Sequence, residues 1–152
     1  MKKSIVVSLL LMFLLTGCIS FNGEVKGTIF DKPLSNPEVH KEDFYIDCQT
    51  EYDPDYDEYY MLYRVTNNSE YPVTQYQCFG TINDGQNETQ LDFFGTLMPG
   101  ETSTVQETSD ITSLNDMEIT QIVYNYKDKD DKDVWVVYDA KLDKYEAMRD
   151  NN

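Results

Sequence analysis

The sequence predicts an all-β protein, an antiparallel sandwich of about seven to eight strands, and three observations carry that expectation. Apolar and polar residues alternate with period two from Asp43 onward, as they do in strands with one face in a core and one in water. The alternating stretches are short and end in clusters of Asn, Gly, Pro and Asp, at the turn spacing of a sandwich. Helical signals are thin. The 152 residues, 40% hydrophobic and 13% aromatic, are enough for one domain around one core and place the chain outside the composition of disordered proteins.

Taken in order, residues 26–30 form a short first strand. In the next, Phe44, Ile46 and Cys48 share one face, with Tyr45 and Asp47 opposite. Met61, Tyr63 and Val65 form one face of a longer strand that ends in the turn cluster Asn67-Asn68-Ser69. Val73 reopens the chain after Pro72, and Tyr76, Cys78 and Ile82 are the inward set there. Further strands are expected at 89–97, 101–107, 119–127 and 133–139. The last two flank 128–132, a polar hairpin connection, and set Ile122, Tyr124 and Tyr126 against Val134, Val136 and Tyr138. Two short helical pieces are expected: one turn within 109–117, and a final helix starting near Asp139 with Leu142, Tyr145 and Met148 on one side.

Before these elements stands an export signal: Met1-Lys2-Lys3, then an apolar run from Ile5 to Leu15, too short for a permanent membrane span of roughly 20 residues. The boundary Leu15-Thr16-Gly17-Cys18 resembles the lipobox of bacterial lipoproteins. That resemblance implies a signal helix and peptide over 1–17, cleavage before Cys18, and a diacylglyceryl group on its thiol. The mature chain loses two of its twelve basic residues, Lys2 and Lys3, and its formal charge moves from −16 to −18. Residues 18–42, with Gly23, Gly27, Pro33 and Pro37, read as the lipidated cysteine and a tether, and 43–152 as the sandwich domain. With Cys18 acylated, Cys48 and Cys78 remain. An even pair in an exported chain, both on inward faces, is expected to form a disulfide.

The stretch 60–65, then Thr66-Asn67-Asn68-Ser69 and Tyr71-Pro72-Val73, then Leu97-Met98-Pro99-Gly100-Glu101 resembles the small immunoglobulin-like domains of bacterial lipoproteins, including those called FxLYD domains. The shared grammar is a strand ending in V-x-N-x-S, a returning strand, and L-x-P-G-E. It covers about half of the mature chain. The resemblance implies an immunoglobulin-like sandwich and carries no catalytic residues. An acidic, tyrosine-rich insert before Tyr60 and the Cys48/Cys78 pair depart from it.

The chemistry legible in the sequence is sparse. Twelve Lys and Arg against 28 Asp and Glu argue against nucleic acid and anionic lipid headgroups as partners and leave basic proteins and cations. His40, the only histidine, has no Ser-His-Asp or Cys-His company. No phosphate loop, CxxC or HExxH spacing occurs, so no enzyme activity, cofactor or defined metal site is expected. The sequence Asp53-Pro54-Asp55-Tyr56-Asp57-Glu58 places carboxylates at alternate positions, like the start of a calcium loop. Glu58 stands where such a loop has glycine and Arg64 where it has glutamate, which leaves only weak calcium binding. Asp128, Asp130, Asp131 and Asp133 repeat the theme, but Lys127, Lys129 and Lys132 interleave, which points to a solvated hairpin tip. Eight of the twelve tyrosines fall between Tyr45 and Tyr76. Tyr52 and Tyr56, beside Asp53, Asp55, Asp57 and Glu58 in a loop that repulsion keeps open, are the expected partner contacts. The functional expectation is an extracytoplasmic lipoprotein, anchored by lipid to the cell membrane or to an outer membrane. It is non-enzymatic and binds another protein at the envelope. The alternative is a cation-dependent ligand-binding or adhesion module.

Overall fold

The computed structural model describes Leu34 and residues 36–150. The signal segment expected at 1–17, the lipidation site expected at Cys18 and the strand expected at 26–30 lie outside these residues. Eight strands follow one another: β1 (Phe44–Asp53), β2 (Glu58–Asn67), β3 (Val73–Ile82), β4 (Asn87–Leu97), β5 (Gln106–Thr108), β6 (Glu118–Lys127), β7 (Asp133–Asp139) and β8 (Lys144–Arg149). They form two antiparallel sheets, ordered β1-β2-β5 and β4-β3-β6-β7-β8. With strands one, two and five in one layer and three, six and seven in the other, this is an immunoglobulin-like sandwich whose fourth strand joins the second sheet. β8 extends that sheet by one strand.

The core follows the period-two pattern. Met61, Tyr63 and Val65 of β2 are buried with Cys78 of β3, Leu91 and Phe93 of β4, Ile122, Tyr124 and Tyr126 of β6, and Val134, Val136 and Tyr138 of β7. The expected β6–β7 register is present, with Ile122 opposite Tyr138, Tyr124 opposite Val136 and Tyr126 opposite Val134. Val73 and Tyr76 are both buried despite an odd spacing. A register shift between Val73 and Gln75 inserts the extra residue that brings both to one face.

Three strands cannot cover five. Where the smaller sheet falls short, the chain before β1 lies over β6, β7 and β8. The Leu34 N–H donates to the Ala147 carbonyl at 2.8 Å. The Glu38 N–H donates to the Tyr126 hydroxyl at 3.1 Å and the Lys41 N–H to the Tyr145 hydroxyl at 3.1 Å, while the Tyr124 hydroxyl donates to the Val39 carbonyl at 2.5 Å. Val39 is fully buried, a contribution of about 1.5–3 kcal/mol for a valine side chain. The described part of the segment read as a tether is therefore part of the sandwich, and the folded domain starts before residue 43. A tether expectation built on Pro and Gly missed Val39 because a single buried valine has no period to read.

Three further expectations are corrected. The final helix is strand β8, with Lys144 opposite Asp139, Tyr145 opposite Tyr138 and Ala147 opposite Val136. Leu142 and Met148, which suggested a helical face, are exposed; the buried Ala147 gives the true period of two. The strand expected at 101–107 shrinks to Gln106–Thr108 and an isolated pairing of Thr102 with Thr66. Between them the Ser103 hydroxyl accepts the Val65 N–H at 3.0 Å, so a side chain takes the donor that a backbone ladder would use.

The third correction is the disulfide, which is absent: both Cys48 and Cys78 are free thiols. Cys78 sits in the core between Leu91 and Ile122, and burial pushes its thiol up to about 11 against the opposing hydrogen bond with Tyr76. Cys48 has the inward parity expected of it, but it is exposed. From Asp47 to Thr50 every residue of β1 is exposed, so the inner side of this edge strand has no sheet beneath it. Opposite Cys48 stands Tyr63, whose hydroxyl crosses to the β4 backbone at Asp92.

The V-x-N-x-S and L-x-P-G-E stretches meet in one buried knot. Asn67 is completely buried; its amide donates to the carbonyls of Tyr71 at 2.8 Å and Leu97 at 2.9 Å, and its side-chain carbonyl accepts from the Ser69 N–H and hydroxyl. The Pro99-Gly100 turn, with Gly100 at φ 81°, is closed by the Glu101 N–H on the Met98 carbonyl at 2.9 Å, a turn type that asks for glycine at its third position. The Gly100 N–H then donates to the Asn67 carbonyl at 2.7 Å. These motif residues hold the ends of β2 and β4 together, which explains why their grammar predicts fold and not activity.

Candidate functional site: the β1–β2 hairpin tip

β1 and β2 pair over ten residues without a bulge, from Phe44 with Asn67 to Asp53 with Glu58. The last third of this ribbon extends past the core and carries all six residues expected to meet a partner. Tyr52 lies opposite Tyr59 and Asp53 opposite Glu58, so Pro54, Asp55, Tyr56 and Asp57 form the turn. Asp57 takes a left-handed conformation at φ 55°, which Asp tolerates better than branched residues. The Asp53 carboxylate accepts the Asp55 N–H at 2.8 Å, a local closure common at turns.

The tip is not the open loop that repulsion suggested. The Tyr52 hydroxyl donates to the Asp57 carboxylate at 2.7 Å across the turn, and the Tyr52 and Tyr59 rings pack at 5.0 Å between centroids. That hydrogen bond to a carboxylate, followed by desolvation, raises the Tyr52 phenol above its ordinary pKa. The rings remain available from outside: Tyr52 is 46% exposed, Tyr59 61% and Tyr56 76%. Tyr59 stands beside the same acids in the sequence but was not among the expected contacts. A hairpin centred on the turn pairs position 52 with 59, and that symmetry was the signal that would have found it.

The tip has a distinctive charge. Residues 44–58 include Asp47, Glu51, Asp53, Asp55, Asp57 and Glu58 and no Lys, Arg or His. Three of the carboxylates are occupied locally, Glu51 by the Gln49 side-chain amide, Asp53 by a backbone N–H and Asp57 by the Tyr52 hydroxyl. No group of three His, Cys, Asp or Glu side chains is placed to hold a metal ion among the described residues.

Other features have structural roles or no convergent chemistry. The His40 ring packs edge-on against Tyr145 at 5.2 Å, with Nε2 3.3 Å from the Asn36 side-chain oxygen. An open groove of about 700 Å³ runs along the outer side of β3, β4 and β6 past Phe79, Thr89, Gln90, Asp110 and Gln121. Within it the Thr89 hydroxyl donates to the Asp110 carboxylate at 2.9 Å and the Thr120 hydroxyl to the Phe79 carbonyl at 3.3 Å. No helix among the described residues is long and apolar enough to cross a membrane. No protein-family model, curated protein or solved structure matches the chain.

Proposed function

We propose that this chain is a lipid-anchored, extracytoplasmic, non-enzymatic binding module of a bacterial cell envelope, and that the β1–β2 hairpin tip is its contact with another protein. One observation carries the reading: three exposed tyrosines, Tyr52, Tyr56 and Tyr59, stand on a closed hairpin among carboxylates with no neighbouring base. Rigid aromatic side chains supply contact area at low entropic cost. Uncompensated charge steers a basic surface toward them. The anchor rests on the lipobox resemblance at Leu15-Thr16-Gly17-Cys18, and the sandwich serves as the scaffold that presents the tip.

The two contributions separate kinetically. With a basic envelope protein identified by cross-linking to the anchored chain, converting Asp53, Asp55 and Asp57 to Asn and Glu58 to Gln is expected to slow association about tenfold at low salt. Tyr52→Ala combined with Tyr56→Ala is expected to speed dissociation by at least about tenfold, as loss of aromatic anchors does. Surface plasmon resonance on both variants reads the two rates. Unchanged rates in both would remove the tip from the contact.

A further inference from the structure

The sandwich has four sheet edges, and three of them are blunted. β5 runs for only three residues. β4 is capped at Asp92, whose N–H donates to the Tyr63 hydroxyl at 2.9 Å and whose carbonyl accepts from it at 3.0 Å. β8 is joined by Leu34 at the Ala147 carbonyl. β1 is the exception: it is an edge strand of ten residues, paired without interruption on one side and exposed from Asp47 to Thr50, where its one side-chain bond to another segment among the described residues is from the Thr50 hydroxyl to the Thr112 carbonyl at 2.7 Å.

The hydrogen bonds of β2 reveal which β1 backbone groups face outward. Val65 and Asn67 direct theirs away from β1: Ser103 and Gly100 donate to their carbonyls, and the Asn67 N–H donates to Glu101. Their register partners Ile46 and Phe44 therefore direct theirs away from β2, because antiparallel pairs alternate between bonded and unbonded residues. The Phe44 N–H turns back to the Lys41 carbonyl. The same alternation places the N–H and C=O of Ile46, Cys48, Thr50 and Tyr52 along the free edge. Such a row is a template for another strand.

Charge selects the occupant. Tyr45, Asp47, Gln49, Glu51 and Asp53 form the outer face of β1, so three of its five side chains are acids, and the tip beyond adds Asp55, Asp57 and Glu58. A second copy laid along this edge would bring two such rows together at a formal charge of −16 each, and like charges on adjacent strands are destabilising. Asp47 already stands opposite Arg64 of β2, and a strand with Lys or Arg at every second position places its further cations beside Glu51 and Asp53.

We infer that β1 takes up an extended, basic segment of a partner protein as an added strand, bonded to the backbone of Ile46, Cys48, Thr50 and Tyr52. The inference rests on the hairpin as the docking element and adds how the partner is held: main-chain bonds give affinity and alternating cations give selectivity.

The test uses the full chain in detergent and a capped ten-residue peptide alternating Lys and Thr, with binding read by calorimetry. Its charge-matched control is the same peptide N-methylated throughout, which keeps the cations and loses every backbone donor. Cys48→Pro removes one outward N–H and leaves the β2 ladder intact, since proline is tolerated on an edge strand where its nitrogen faces out. An unchanged melting temperature verifies the fold, and Thr50→Pro replaces it should Cys48→Pro fail to fold. The expected result is binding to the lysine–threonine peptide, weakened at least about tenfold by N-methylation and similarly by the proline variant. Asp47→Asn with Glu51→Gln should reduce its salt dependence. Equal binding of the methylated peptide, full binding by the proline variant, or no binding by the wild type overturns strand addition. None of those outcomes bears on Tyr56, so the tip reading stands or falls separately on its own dissociation rates.

Discussion

Two hairpin tips in this sandwich have nearly the same acid content and opposite character. The β1–β2 tip has Asp53, Asp55, Asp57 and Glu58 with no base nearby; the β6–β7 tip has Asp128, Asp130, Asp131 and Asp133. At the second, Arg149 donates from Nε to Asp128 at 2.5 Å and from Nη2 to Asp130 at 2.6 Å, and Lys127 reaches Asp133 at 2.8 Å. Asp128 also accepts the N–H groups of Asp130 at 2.8 Å and Lys132 at 3.0 Å. Three of the four carboxylates there are bound inside the molecule, whereas at the first tip the surplus charge faces outward. Acid content alone therefore does not distinguish the two tips. Compensation does, and its decisive cation comes from a strand later in the chain.

The comparison breaks first at Arg149. Arg149→Ala leaves the Asp128 side chain, only 7% exposed, with backbone donors alone, and removing one partner from a covered charge costs more than the pair contributed. The melting temperature is expected to fall by roughly 5 °C. A fall no larger than that of a conservative surface change would mean the second tip is no more locked than the first.

The way the sequence became legible follows the same division. Period-two alternation found β2, β3, β6 and β7 and the register between the last two, because each of these strands has one face in the core and one outside. It failed where a strand lacks that environment. Cys48 keeps the inward parity of Phe44 and Ile46, but no sheet lies under that stretch of β1, so alternation could not locate the thiol. Leu142, Tyr145 and Met148 imitate a helical face by spacing, and reading them so concealed β8 and with it Arg149. The six tip residues were legible because composition marks them. Tyr59 and the unpaired backbone of β1 were not, since register and sheet order are properties of the assembled fold.

A smaller effect sharpens the comparison through pH. Burial alone would push the Asp128 carboxyl up, but the Lys132 N–H, Arg149 and the Asp130 N–H together hold it below its ordinary value. The unfolded chain then takes up the proton first as the solution is acidified. This contribution to stability is whole above the ordinary carboxylate value of 3.8 and is lost as pH falls through the lower folded value. Urea midpoints followed from about pH 6 to about pH 2 should decline less steeply on acidification in Asp128→Asn than in the wild type. Parallel curves would assign the acid sensitivity elsewhere.

The smallest effect belongs to the first tip. Tyr52→Phe keeps the ring packed on Tyr59 and deletes only the hydroxyl that crosses to Asp57. This bond lies outside the core, so the melting temperature should move by no more than about 1 °C. Its consequence is local. Asp57 holds a left-handed backbone conformation, and without the hydroxyl its carboxylate no longer ties the turn to the ribbon, so the amides of residues 55–57 should exchange faster while those of residues 61–65 stay protected. Asp57→Asn provides the reciprocal reading: the charged acceptor disappears, and a spectrophotometric titration should show the Tyr52 phenol moving back down toward its ordinary value. If tip exchange is unchanged in Tyr52→Phe, the paired rings and the turn alone fix the hairpin. The second tip would then be shaped by ion pairs and the first by aromatic packing, with the Asp57 carboxylate not needed to hold the turn.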